Sequence, residues 1–392
     1  MAEVARIWAG RYGCGEIATP IFEFTEVFQR TLGETSDVVT KEMYTFEDRG
    51  GDRVTLRPEY TAGIIRAVIS GGLANQLPLR YFAAGPVFRY ERPQKGRLRQ
   101  FHQIDVEFLG SANPSVDVEV IALAADILDA LGIRGKTTLE INSLGDAASR
   151  AAYRKCLVDY FTEHRDALSE DGQIRLVRNP LRILDSKDEG DRALIAGAPL
   201  MTDSLNAESA AFFTDVCAGL ERLGVSFSVN QRLVRGLDYY THTAFEFSTS
   251  ALGAQGAIIA GGRYDDLAEA MGGPPMPGIG WAGGIERLAL LLEVLPTAPR
   301  PIALVPVGAA GEDQAVALAH QLRRAGFAIE LGFSGNLKNR MKRADKIGAR
   351  AAILFGEDEL SRGVVTIRDL DSGEQCEVGL DDLTTDLARF RG

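Results

Sequence analysis

No stretch of this chain approaches the ~18 consecutive apolar residues of a membrane-spanning helix. Its N-terminus carries no basic run followed by an apolar one, so no secretory leader is read there and a soluble, cytoplasmic chain is expected. The four cysteines, Cys14, Cys156, Cys217 and Cys376, have no paired spacing. That excludes a disulfide framework and a paired-thiolate zinc site, and no metal centre is expected. Basic residues are in deficit, 43 Lys and Arg against 54 Asp and Glu, for a net charge of −11. A protein that coats nucleic acid needs the opposite balance, although a local basic surface remains open. Neither a repeat nor a low-complexity tract is visible, and the glycine-rich runs match neither a Walker loop nor a dinucleotide fingerprint.

What is present is enough for several cores. With 392 residues, 45% hydrophobic and 25% charged, two or three domains of ordinary composition are expected. To about residue 145, helix-like segments (Ile64 to Leu73, Val116 to Leu131) alternate with strand-like ones such as Leu79 to Tyr90. Residues 146–225 turn charge-laced and helical, broken at Asn179-Pro180 and Ala198-Pro199, as an inserted module would be. Strand patterns return at Phe227 to Val229 and Thr243 to Phe247, so 1–145 and 226–295 are read as one interrupted domain. Pro296, Pro299 and Pro301 mark a linker. Beyond it, segments 302–307, 312–325, 328–333, 337–347, 351–355 and 364–370 alternate strand and helix, which predicts an α/β domain over 301–392 with mostly parallel strands.

The most informative stretch runs from Phe88 to Glu107. It reads as strand, basic loop and strand, with Pro93 and Gly96 marking the turn. On the outgoing strand His102, Ile104, Val106 and Phe108 share one side, and Phe101, Gln103, Asp105 and Glu107 the other. His102 is therefore expected to be structural. With Arg89, Arg92, Lys95, Arg97 and Arg99 close by, one hairpin offers an anion clamp and a row of polar groups. A phosphate-bearing ligand with a cationic or hydrogen-bonding end would suit it.

Other segments speak less clearly alone. Glu59 and Thr61 precede a helix and could both accept bonds from an ammonium group; equally, Thr61 could cap the helix with Glu59 on the surface. In Leu233 to Thr241 a glycine follows Arg235 and Tyr239 adjoins Tyr240, which fits a ligand site or a loop with buried aromatics. Glycines at 261, 262, 278, 280, 283 and 284 would let a nucleotide lie against backbone, with Arg287 near its phosphates, or would reflect tight packing. Lys338, Arg340, Lys342, Arg343, Lys346 and Arg350 face Asp345 alone, a solvated helix face or a polyanion contact.

Together these segments resemble the class II aminoacyl-tRNA synthetases, and within them the histidyl family. Gly15 to Pro20, Phe88 to Glu107 and Gly278 to Leu288 are similar to the three class motifs, and Leu233 to Tyr240 and Gly261 to Asp265 to the two histidine-type segments. Family members usually begin with a further segment, whereas this chain starts nearly inside the first motif, as a misassigned start or a trimmed chain would.

The resemblance implies an α/β (α+β) fold: an antiparallel-sheet catalytic domain, a helical insertion near the tRNA acceptor stem, and a C-terminal anticodon-binding domain. It implies a histidine–tRNA ligase that forms histidyl-adenylate from histidine and ATP, with Mg2+ and no organic cofactor, and transfers it to the 3′ end of tRNA(His). By resemblance Arg89 would hold the α-phosphate, Phe101 would stack on adenine, Arg97 would assist at the outer phosphates and Arg287 would grip the γ-phosphate. Glu59, Thr61 and Gln103 would receive the α-amino group. Glu107 and Tyr264 would bond the imidazole, with Tyr60, Tyr239 and Tyr240 in the same pocket. Arg235 would serve the chemical step beside Arg89. A homodimer is implied, and the Lys338, Arg340 and Arg343 cluster would meet tRNA. The competing reading is a synthetase-like regulatory subunit that senses histidine for ATP phosphoribosyltransferase; such paralogues tend to lose the phosphate-binding arginines and the C-terminal domain.

Overall fold

A computed structural model describes residues 1–32, 38–186, 188–234, 239–253, 256–294 and 299–390. The chain forms two units, Met1–Glu293 and Val294–Gly392. The first begins with α1 (Ala2–Arg11), β1 (Gly15–Glu16), β2 (Phe22–Phe24), α2 (Thr25–Leu32), β3 (Tyr44–Glu47), β4 (Arg53–Leu56) and α3 (Thr61–Ser70). The long hairpin β5 (Leu79–Phe88) and β6 (Gln100–Leu109) follows, then α4 (Pro114–Ala130) and β7 (Thr138–Ser143). Helices α5 (Ala147–Glu163), α6 (Glu170–Arg178), α7 (Glu189–Gly197) and α8 (Ala207–Arg222) interrupt the sheet. It resumes with β8 (Ser228–Val229), β9 (Thr241–Ser248), β10 (Ala257–Arg263), α9 (Leu267–Ala270), β11 (Gly278–Gly284) and α10 (Ile285–Ala289).

The main sheet has the order β1-β5-β6-β11-β10-β9-β7-β8. It is antiparallel from β5 through β7 and parallel only at its outermost pairs. The alternation in β6 decides which face is buried: Ile104, Val106 and Phe108 join Phe82, Ile279 and Trp281 in the core beneath α4. That helix starts where Asn113 accepts the Ser115 N–H and Pro114 needs no partner for its missing donor. It is apolar nearly all round because the sheet covers one side and α1 and α8 cover others. Truncating a fully buried Ile121 or Leu123 there would cost about 2–5 kcal/mol. Arg263, buried at the end of β10, ties that strand to α4 through Asp117 and to Asp265 at 2.9 Å. Removing either partner would leave a charge buried without compensation.

The inserted helices have a core of their own, with Tyr153, Leu157, Phe161, Leu176, Ile183 and Met201. Helix α8 does not belong to it. Val216 and Leu220 pack into the large core against α4, so the separate core ends earlier than the 146–225 boundary expected from composition. Helical periodicity carries no information about which body a helix packs on.

The second unit holds β12 (Ile302–Pro306), α11 (Gly308–Arg324), β13 (Ile329–Leu331), α12 (Leu337–Lys346), β14 (Ala351–Phe355), α13 (Glu357–Ser361), β15 (Val364–Asp369), β16 (Gln375–Gly379) and α14 (Leu383–Asp386). Its sheet order is β13-β12-β14-β15-β16. The first three strands are parallel, as expected, and the last three antiparallel. The edge strand β16 has no apolar alternation strong enough to announce it.

Candidate active site

The polar side chains of β6 stand in a clearing. Gln103, Asp105 and Glu107 are flanked by Gly85, Ala83 and Tyr81 on β5 and by Gly284, Ala282 and Gly280 on β11. One strand further, Ala260 and Gly262 of β10 lie opposite Ala282 and Gly280. Small residues on the neighbouring strands leave a cavity of about 350 Å³ over the sheet, walled by side chains from α3, the hairpin and the segment after β10. The glycines leave room for the site's own side chains. A Cβ on Gly280 would sit 1.7 Å from Glu107 Oε2, on Gly278 2.3 Å from the Tyr264 ring, and on Gly262 2.8 Å from the Tyr240 ring.

At one end of the cavity Glu107 accepts hydrogen bonds from the hydroxyls of Thr61 and Tyr264. Glu59 accepts from the Ala62 N–H at 2.9 Å and from the Tyr239 hydroxyl at 3.0 Å. The capping alternative is thus reversed: Glu59 satisfies a first-turn amide and is only 5% exposed, while the Thr61 hydroxyl turns to Glu107. Burial, opposed by the Thr61 and Tyr264 bonds, pushes the Glu107 carboxyl up to about 8. Burial also raises Glu59 and, most strongly, Asp105, where the charges of Glu107 and Glu59 add to it. Asp105 is 1% exposed and neither of its carboxylate oxygens has a hydrogen-bond partner. Three buried acids, against the single buried guanidinium of Arg57 near Asp105, make this end a receptor for positive charge and for N–H donors.

The other end is cationic. Arg89 donates to the Pro58 carbonyl at 2.9 Å and lies 5.5 Å from the centre of the Phe101 ring. Arg97 pairs with Glu91. Arg287 donates to the carbonyls of Ala257 at 2.7 Å and Gly96 at 3.1 Å, which fixes it across the hairpin loop. Burial first, then Arg97, lowers the pKa of Arg287, the expected effect of cations gathered without their anion. Phe101 lies between the two ends on the cavity wall. His102, 47% exposed, is not packed in the core as its strand side implied. It sits where β6 runs past the end of β11, and both its backbone N–H and its ring meet Glu286 at the start of α10, at 3.0 and 2.9 Å.

The structure therefore gathers Glu59, Thr61, Arg89, Arg97, Phe101, Gln103, Tyr239, Tyr240, Tyr264 and Arg287 around one cavity, with Glu107 beneath it. Tyr60 is not among the residues lining the cavity: its side chain is buried and its hydroxyl accepts from Arg57 at 2.6 Å. Arg235 lies outside the described residues. Arg57 and Asp105 were missed as parts of the site's frame. The period of two already set Asp105 between Gln103 and Glu107, and a second acid on that face was the available signal.

In the second unit Arg340 is 4% exposed, donates to the Pro306 carbonyl and pairs with Glu312 at 2.6 Å, so it holds α12 to the end of β12 and leaves the basic surface. Arg343 is exposed beside Glu330, and Lys338 is exposed.

An antiparallel sheet whose hairpin gathers arginines at one end of a cavity and buried acids at the other, with a third arginine after the glycine-rich strand, is the arrangement the class II aminoacyl-tRNA synthetase resemblance implies. Comparison with known proteins gives the member. The histidyl-tRNA synthetase family model matches residues 4–288 and an anticodon binding domain model matches residues 302–389. The histidine–tRNA ligase of Rhodospirillum rubrum is 61% identical over 99% of this chain and 94% of its own; that of Gluconacetobacter diazotrophicus is 56% identical over 100% and 94%. The apo histidyl-tRNA synthetase of S. aureus superposes with a TM-score of 0.81 at 36% identity, over 97% of this chain and 93% of that one. The chain belongs to the histidyl-tRNA synthetase family. A regulatory subunit is not favoured, since relatives matched over the full length are ligases and the C-terminal domain is present.

Proposed function

We propose how this histidine–tRNA ligase uses its cavity. The imidazole of histidine lies between Glu107 and Tyr264, and its α-ammonium group lies among Glu59, Thr61 and Gln103. The Thr61 hydroxyl, which donates to Glu107, turns to accept from the ammonium group. ATP occupies the cationic end, its adenine on Phe101, its α-phosphate on Arg89 and its outer phosphates on Arg97 and Arg287. Planar guanidinium groups suit phosphate oxygens because each offers paired donors and stays charged. The substrate carboxylate then attacks the α-phosphorus in line while the bond to the β-phosphate oxygen breaks and pyrophosphate leaves with its electrons. Arg89, and by family resemblance Arg235, stabilise the charge on the phosphorus oxygens, so the barrier falls by positioning and electrostatics. A ribose hydroxyl at the tRNA 3′ end attacks the carbonyl next and AMP leaves.

Mg2+ would arrive on the phosphate oxygens of ATP; the nearby carboxylates Glu91 and Glu286 are already tied to Arg97 and His102. Among the described residues no group of three His, Cys, Asp or Glu could hold a metal by itself. The observation that carries the reading is the pair of donors on Glu107 at one end of a cavity with three arginines at the other. Its test is histidine-dependent exchange of pyrophosphate into ATP. Exchange that falls on the order of 100-fold in Arg89→Ala is expected; histidine binding without any exchange would end the catalytic reading.

A homodimer is part of the proposal. On the small sheet β2-β4-β3 one face carries Glu23, Thr45 and Thr55, hydrogen-bonded to Arg66 and to each other. The opposite face leaves Phe22, Phe24 and Phe46 about half exposed. Three exposed phenylalanines on one face suit a second copy of the chain. In the tRNA complex the exposed Lys338 and Arg343 are assigned to phosphate contact and Arg340 to the fold. No helix among the described residues is long and apolar enough to cross a membrane.

A further inference from the structure

Phe333 is 82% exposed, among the most exposed large apolar side chains of the described residues. It follows β13, where the buried Gly332 donates to Leu304 of β12, and it precedes the cap of α12, Asn336, whose side chain accepts the Asn339 N–H at 3.0 Å. The turn is fixed at its other end as well: Gly335 has φ +100°, a conformation L side chains rarely adopt. Arg340 then clamps the helix to the Pro306 carbonyl. A rigid frame thus presents a ring that packs on almost nothing.

Beside it α12 carries Lys338, Lys342 and Lys346, all exposed. Their i, i+4, i+8 spacing places three cations along one stripe about 12 Å long. Like charges at that spacing repel and cost the helix stability. Phe333 and Lys338 lie just past the carboxyl end of the parallel strand β13, where open α/β sheets bind their ligands, and the stripe runs from there along α12 toward the amino end of β14. An exposed aromatic beside a cationic track fits a single-stranded nucleic acid, with a base on the ring and flanking phosphates on the lysines.

We infer that Phe333 is a stacking platform for an unpaired base of the tRNA, with Lys338 and Lys342 on the adjoining phosphates. This rests on the ligase reading and adds to it the residue that holds a base.

The test compares charging of full-length tRNA with charging of a minihelix limited to the acceptor stem. Phe333→Ala should raise the KM for full-length tRNA about 5- to 100-fold, the range of one lost base stack. It should leave pyrophosphate exchange and minihelix charging unchanged. Phe333→Trp should restore the KM, while Phe333→Leu, equally apolar but without a π face, should not. An unchanged KM in Phe333→Ala, rescue by Leu, an equal loss on the minihelix, or a change in oligomeric mass would each overturn the inference. Absence of pyrophosphate exchange in the unaltered chain would instead fail the ligase reading beneath it.

Discussion

Replacing Glu107 by Gln should make the empty enzyme more stable at neutral pH and worse at binding histidine. The carboxyl is pushed from the ordinary glutamate value of 4.5 to about 8 by burial, so the folded state holds a proton that the unfolded state releases. The sign follows: where the folded state binds more protons, stability falls as pH rises. The penalty is absent below about pH 4.5, grows through the window to about 8 and is constant above it. At about 1.4 kcal/mol per pH decade it reaches on the order of 4 kcal/mol near pH 7.5. Glutamine removes that penalty and keeps the shape. Its carbonyl can accept from Tyr264 and its amide can donate to the Thr61 hydroxyl, so no buried polar atom loses a partner. Unfolding followed by fluorescence from pH 5 to 9 should show equal melting temperatures near pH 5 and a variant about 5 °C or more higher near pH 8. The KM for histidine should rise about 10- to 100-fold through loss of the charged acceptor. A variant that melts lower at pH 8, or by the same margin at every pH, would refute the account of a buried, ionisation-resistant acid.

Three further outcomes follow from the site and the small sheet. Histidine binding near pH 7.5 should release protons, because a cationic, N–H-donating ligand favours ionised Glu107, whose carboxyl burial pushes up to about 8; calorimetry in buffers of different ionisation enthalpy reads this, and identical heats would contradict it. Gly280→Ala should lower the melting temperature and cut kcat/KM for histidine by on the order of 100-fold, since its Cβ would meet both the Glu107 carboxylate at 1.7 Å and the Val106 carbonyl at 2.4 Å; near-normal stability and kinetics would mean the clearing is not needed. Phe24→Glu should convert a dimer to a monomer in sedimentation, and an unaltered chain that already sediments as a monomer would remove the dimer proposal.

The hairpin was the legible part of the sequence. Alternation along β6 sorted its core residues from Gln103, Asp105 and Glu107, and the arginines flanking Phe101 marked the anion end. What sequence could not reach depended on the third dimension. Glu59, Tyr60 and Thr61 are consecutive, and only the turn into α3 decides that the first and last reach the cavity while Tyr60 turns to Arg57. Arg340 and Arg343 read alike as helix cations, yet Arg340 is drawn inward by the Pro306 carbonyl and Glu312 while Arg343 stands exposed beside Glu330. His102 sat on the apolar side of its strand, but β6 outruns β11 there, so that side is open. Glycines in β10 and β11 looked suited to a nucleotide, whereas the atoms they clear space for are the protein's own.

The strand β11 shows the site Gly278, Gly280, Ala282 and Gly284 and the core Ile279 and Trp281. A floor built this way has almost no side chains to exchange. Most binding pockets can drift toward a new ligand by substitution of whatever lines them, but here enlargement at Gly280 strikes Glu107 and enlargement at Gly278 strikes the ring of Tyr264. Selection for a different amino acid would have to act on β6 and on the tyrosines around it, where the same groups already recognise the present one. The bare strand thus makes the enzyme's choice of substrate hard to alter by single steps.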